Sequence, residues 1–322
     1  MASSLEPAET SSNPTSGEVL LEYLRRQVAE LQQQAPRVRD NEPDSVHQMR
    51  MSARRLRAVL RSARSILEPG LALVDGSSRN LSCSELRAEL KWLSGVLGKA
   101  RDPEVIRDRL TALMAEQPDA LLVGPAAERI QQALAAAGRE AREEVLKAFG
   151  SDRYARLVEA LESLPETPLS GDKAERPARK GLAKVAKKDV RRLRRKVAAV
   201  GPRKPGDAGA DSGSDPDSRN VAFHDVRKAA KRVRYIAEAA SLAKAKSADR
   251  IEEAAHTIQK ILGQHQDSVV AREQLLRLGT KSGLGSKSDG DSDFTFGRLH
   301  ALEERRADEA EKEFFKAWKG FP

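Results

Sequence analysis

Residues 46–60 read VHQMRMSARRLRAVL, and residues 223–237 read FHDVRKAAKRVRYIA. Laid over one another, His47 falls on His224, Arg50 on Arg227, Arg54 on Lys231 and Arg57 on Arg234. A second match follows each copy. VLGKARDPEV at 96–105 and ILGQHQDSVV at 261–270 place Gly98 on Gly263 and Asp102 on Asp267. Self-similarity in the same order marks a duplicated unit.

The apolar residues inside the two copies decide the fold class. Val46, Met49, Ala53, Leu56 and Leu60 recur every three or four residues, as do Val226, Ala230, Val233 and Ile236 or Ala237. That is the period of a helix with one buried face. Aromatic residues make up 4% of the chain, and Ala and Leu dominate the apolar set, which favours helices packed on helices. No segment alternates like a strand.

Working outward, the periodicity predicts helices over about 18–36, 46–67, 84–114 and 125–149, with a short one to Leu164. Pro69-Gly70 ends the second. The pattern then restarts with helices over about 179–200, 222–243, 247–278 and 294–318. Residues 1–16 are polar and expected to be disordered, and 201–220 and 279–292 read as flexible loops. The expected fold is all-α. Two pseudo-two-fold-related four-helix bundles, about 17–165 and 172–318, form one compact helical domain with a central basic channel.

The formal net charge is +9 and the pI near 9.6, which points to an anionic partner. The single cysteine, Cys83, excludes an intrachain disulfide and a multi-cysteine metal site. The polar N-terminus lacks the apolar stretch of a signal peptide, and no segment is apolar enough to span a membrane. A soluble, cytoplasmic protein is expected.

The charge is gathered into stripes. His47, Arg50, Arg54, Arg57 and Arg61 fall within an arc of about 80° over about 21 Å of helix. His224, Arg227, Lys231 and Arg234 repeat the spacing. No acid occurs between Val46 and Leu67, so the first stripe lacks the opposite charges that helix surfaces usually interleave. A bound polyanion would offset the repulsion. Each histidine is expected in a first helical turn, after Asp44 or Ser45 and after Asn220, where free N–H groups suit phosphate. Neighbouring arginines should keep each imidazole neutral.

A third basic helix, ARKGLAKVAKKDVRRLRRKV at 178–197, has Asp189 as its one acid. Lys184, Lys187, Arg191 and Arg195 fall on one face, and this helix is expected to complete the channel. Lys91, Arg101, Lys228 and His265 are weaker candidates for its wall. Asp102 and Asp267 are expected to pair with arginines of a neighbouring helix rather than to hold a metal. Tyr235, Trp92, Trp318, Phe314 and Phe315 read as packing residues.

The doubled pattern of a histidine, then Arg or Lys at the third, seventh and tenth positions after it, each copy followed by L-G-x-x-x-D, resembles the CHAD family of helical domains named for their histidines. The resemblance covers about residues 17–318. It implies two four-helix bundles around a basic surface and binding of inorganic polyphosphate, which places some family members at polyphosphate granules. It carries His47, Arg50, Arg54 and Arg57, with His224, Arg227, Lys231 and Arg234, over as ligand contacts. Lys99 and Arg101 stand where the second half has Gln264 and Gln266, so the halves need not contribute equally. Many members also carry a triphosphate-tunnel enzyme domain, for which this chain has no room. The resemblance therefore implies binding without chemistry, cofactor or metal.

Two other classes compete. A nucleic-acid binder would share the charge but commonly interleaves aromatics for stacking, and none stand in the stripes. A polyphosphate-processing enzyme needs metal-binding carboxylates or a phosphate-cradling loop, and neither is present in the stripes.

Overall fold

The structure is a computed structural model that describes residues 14–73, 81–167, 169–202, 216–245, 247–280 and 290–322. Among them stand ten α-helices and no strand. The first repeat holds α1 (Ser16–Arg39), α2 (Ser45–Ser62), α3 (Arg64–Leu73), α4 (Cys83–Ala115), α5 (Ala126–Phe149) and α6 (Asp152–Ser163). The second holds α7 (Ala178–Val200), α8 (Pro216–Ser241), α9 (Ala248–Thr280) and α10 (Gly290–Trp318).

Local chemistry sets these boundaries. Thr15 and Glu18 form a capping box on α1, and Ser82 and Glu85 form one on α4, so each start satisfies its own free N–H groups. The α1 and α7 starts are also tied together, because Ser16 N–H donates to the Arg176 carbonyl at 2.8 Å and Ala178 N–H to that of Pro14 at 2.8 Å. Residues 14–16 are thus ordered against α7, contrary to the disorder expected through residue 16. Residues 1–13, 203–215 and 281–289, which carry the rest of the expected disorder and loops, lie outside the described residues.

Three expected boundaries shift. The chain breaks at Ala63 rather than at Pro69, and α3 runs through Pro69 with Ile66 and Leu67 buried beneath it. Helix α8 begins at Pro216, inside the expected loop. Its first turn is held by Arg219, which pairs with Glu311 and donates to the Val200 and Gly201 carbonyls at 3.3 and 3.2 Å. Helix α10 likewise begins at Gly290.

Successive long helices pack as neighbours in both repeats, α1–α2–α4–α5 and α7–α8–α9–α10. The halves meet where α2 packs on α8, with α1 against α8 and α2 against α7 as mirrored contacts. The apolar interior divides differently. One core joins α1 and α2 to the N-terminal half of α7 and the end of α8. A second fills the space between α7, α8, α9 and the end of α10. A third is shared between the halves: Leu110, Leu113 and Ile130 from one side meet Leu275, Phe296 and Leu299 from the other. In that shared core Arg109 grips Glu303 with two hydrogen bonds, 2.9 and 2.6 Å long, and donates to Ser268 at 2.6 Å.

Candidate anion-binding cleft

Packing α2 on α8 brings the two histidine–arginine stripes to one place. His47, Arg50, Arg54 and Arg101 from the first repeat and His224 and Arg227 from the second line a single cleft of about 340 Å³. Lys231 lies beside it, where the charges of Arg54, Arg227 and Arg50 act on it against that of Asp267. The lining also includes Asp102, Asp267, Gln266 and aliphatic residues of α4 and α9.

The repeat explains how the arginines are seated. Arg50 donates to Asp102 at 2.7 Å, and Asp267 is the nearest acid to Arg227. Each guanidinium lies over a glycine of the facing helix. A β-carbon on Gly98 would stand 3.3 Å from Arg50 Nη2, and one on Gly263 would stand 3.4 Å from Arg227 Nη2. The glycine of L-G-x-x-x-D is therefore the floor for the arginine in both repeats, and the aspartate is its anchor in the first, where Arg50 and Asp102 pair. In each arginine Nε is buried without a hydrogen-bond partner.

The cleft is electrostatically strained. Burial, then the charges of Arg50 and Arg227, lower the pKa of Arg54, although a guanidinium keeps its proton. Burial, then Arg54, Arg227 and Arg50, lower that of the Lys231 ammonium well below its usual range. Burial lowers both cleft histidines. At His47 the charges of Arg101, Arg50 and Arg54 add to this against an opposing pull from Asp44. At His224 Lys228, Arg227 and Lys231 add to it, opposed by the bond to Gln266. Both imidazoles are thus favoured in the neutral form, as expected, but burial is the leading cause.

The expected N-terminal setting holds for one histidine. His47 is in the first turn of α2, behind Asp44 at φ 61°, whose side chain makes no cap bond and instead accepts from Gln48 at 2.6 Å. His224 sits in the third turn of α8, because that helix starts eight residues earlier, at Pro216. Its Nδ1 faces Gln266 Oε1 at 2.6 Å. With Nδ1–H donating there, a neutral ring turns a lone pair, not a donor, outward at Nε2.

The remaining candidates divide. Arg57 packs half-buried beside Arg87 and Arg61. Arg61, Arg195 and Lys228 line a neighbouring basic recess of about 510 Å³ between α2, α7 and α8, together with Arg192, Lys196 and Arg232. The sequence reading missed those last three, which stand on the shoulders of their helices. Arg234 turns toward α9, 3.4 Å from Gln259 and 4.0 Å from Glu252.

Four expectations need correction. Lys184, Lys187 and Arg191 are exposed and do not line the cleft, because α7 buries Leu182, Ala186, Leu193 and Val197 on the opposite side. His265 is a core residue, 5.0 Å from the Phe223 ring, and burial pushes its pKa down to about 4. Lys91 is exposed on α4 away from the cleft lining. The channel is therefore walled by α2, α4, α8 and α9, with α7 contributing only to the side recess. Among the described residues no group of three or more His, Cys, Asp or Glu could hold a metal ion.

The sequence profile of the CHAD domain matches residues 22–276. The chain belongs to the CHAD family. An uncharacterized protein of Mycobacterium tuberculosis, found in strain H37Rv as Rv2226 and in strain CDC 1551 as MT2285, is 32% identical over 277 residues. That alignment covers 85% of this chain and 47% of the relative, so the chain spans about half the length of the curated relatives it matches. Two solved structures share the fold. PptA from Streptomyces chartreusis is 23% identical with a TM-score of 0.72, covering 95% of this chain and 99% of that one. The CHAD domain of the plant Ricinus communis is 22% identical with a TM-score of 0.66, covering 96% and 93%. Among the described residues no helix of this CHAD domain is long and apolar enough to cross a membrane.

Proposed function

We propose that this CHAD domain binds inorganic polyphosphate without turning it over, in the cleft between α2 and α8. The observation that carries the reading is the meeting of Arg50 and Arg54 with Arg227 in one cleft, with Lys231 beside it, where cations from both repeats act on one another and outnumber the two aspartates. Such groups reward an anion with charge-assisted hydrogen bonds, and a row of them fits a polymer carrying about one charge per unit. Some members of the family bind polyphosphate.

The cleft lining favours a polymer without bases. It contains no aromatic residue apart from the two imidazoles, whereas single-stranded nucleic acid is commonly held by stacking. The lining carboxylates are Asp102, held by Arg50, and Asp267 beside Arg227, so both serve the arginines. On this reading the protein acts in the cytoplasm and gathers at polyphosphate granules.

Competition tests the reading. Labelled polyphosphate should stay bound against single-stranded DNA at equal phosphate concentration; displacement by the DNA would replace it with a nucleic-acid function. Release of phosphate by the purified protein in the presence of a divalent metal would show an enzyme instead.

A further inference from the structure

The two repeats supply matching histidines and basic residues at the cleft and differ in charge beside it. The stripe of α2 continues from Arg54 through Arg57 to Arg61, about 10 Å further along the helix. Arg57 lies next to Arg87 of α4, and Arg87 lies next to Arg61 and Arg64. The second repeat places Arg234 where the first has Arg57, Glu238 where it has Arg61, Glu252 where it has Arg87, and His256 where it has Lys91. There the signs cancel. Arg234 is 4.0 Å from Glu252, and Glu238 is 3.4 Å from Arg55.

Four cations in one half thus correspond to one cation, two acids and a histidine in the other. Arg64 is already engaged by Glu68 at 2.7 Å, which also acts on Arg87, but the charges acting on Arg57 are the cations Arg87 and Arg61. Burial and these like charges lower the pKa of both Arg57 and Arg87, so the lobe carries its repulsion within the fold. A two-fold fold alone would not require this. A ligand longer than the cleft would meet attraction along these first-repeat positions and neutralised charge at the matching positions of the second.

We propose that a long polyphosphate chain leaves the cleft in one direction, across a basic arm formed by Arg57, Arg61 and Arg87 on the first repeat. The arm makes the domain favour long chains over short ones. This rests on the polyphosphate reading of the cleft and adds a direction and a length preference to it.

The experiment compares tripolyphosphate, a cleft-sized ligand, with a chain of tens of phosphates. The double variant Arg61→Gln/Arg87→Gln should lose about tenfold in affinity for the long chain and flatten its salt slope by about 1.4, at about 0.7 per lost contact. Tripolyphosphate affinity should stay within twofold. Glu252→Lys, which gives the second repeat the sign of the first, should raise long-chain affinity severalfold, a gain that misfolding cannot mimic. Lys184→Gln/Arg191→Gln removes the same charge from the outer face of α7 and should have little effect on either ligand. Equal losses for both ligands, or an α7 control as damaging as the arm variant, would overturn the arm. A wild-type protein that binds tripolyphosphate and long chains with equal affinity would overturn the arm alone. One that binds neither would overturn the polyphosphate reading and the arm together.

Discussion

A β-carbon on Gly98 would stand 3.3 Å from the Arg50 guanidinium, and Gly263 has the same relation to Arg227 at 3.4 Å. Both glycines are inside long helices, where glycine is less favourable than alanine by about 1 kcal/mol. Their presence is explained by the arginine above, not by the helix. Gly98→Ala and Gly263→Ala should therefore keep or raise the melting temperature while weakening polyphosphate binding by about tenfold, the worth of one displaced charge-assisted hydrogen bond. Thermal melts and titration calorimetry on the same samples check this. Unchanged affinity would show that the glycines do not seat the arginines.

Binding should take up protons. His47 and His224 are held below the ordinary histidine range in the free protein, and a phosphate chain beside them stabilises the imidazolium. Affinity for long chains should rise as pH falls from about 8 to about 6, spanning the ordinary histidine value. The engagement of His224 Nδ1 with Gln266 gives the same sign, because Nε2 donates to phosphate once it is protonated. Calorimetry in buffers of unlike ionisation enthalpy measures the uptake. A pH-independent affinity with no proton uptake contradicts it.

Stability should move the opposite way with acid. His265 has a folded pKa near 4, below its unfolded value of about 6.5, so the folded state binds fewer protons in between. The stability associated with the neutral ring is present above the unfolded value and is lost as pH falls toward the folded one. The loss is on the order of 3 kcal/mol. His265→Phe, which keeps a ring against Phe223, should flatten the pH dependence of urea unfolding between pH 7 and 4.5 whatever it does to stability at pH 7. Parallel profiles for the two proteins would contradict this.

A buried ion pair links the halves at the shared core. Glu303 is 0% exposed and takes both hydrogen bonds from Arg109, joining α4 of the first repeat to α10 of the second. Glu303→Gln removes the carboxylate that holds Arg109 twice and also faces Arg306 at 3.6 Å, and should lower stability by about 3–5 kcal/mol in urea unfolding. A change under 1 kcal/mol would mean that the pair does not hold the halves together.

The contrast between α2 and α7 shows what could be read in advance. Both helices carry a basic stripe opposite an apolar face, so their helical state and inward faces followed from spacing. Helix α2 also has a copy in α8, and a repeat implies a meeting at the symmetry axis. Helix α7 has a counterpart, α1, that carries no such stripe, so periodicity could say which side of α7 was polar but not what that side would face. The start of α8 was hidden for a different reason. The composition of residues 201–220 reads as loop, and the turn from Pro216 is fixed by Arg219 reaching Glu311 and the α7 carbonyls, contacts distant in sequence. The role of Gly98 and Gly263 was within reach: a glycine repeated inside two predicted helices signals close approach.

The most direct test sets the cleft against the outer face of α7. Arg50→Ala/Arg227→Ala should reduce long-chain polyphosphate affinity by about a hundredfold or more, since two charge-assisted contacts are lost. Lys184→Ala/Lys187→Ala/Arg191→Ala removes more charge from a surface that does not line the cleft, and should cost less than about threefold at physiological salt, where screening weakens charges beyond about 8 Å. A triple variant as damaging as the double would contradict the account, because binding would then follow total charge rather than the meeting of the two repeats.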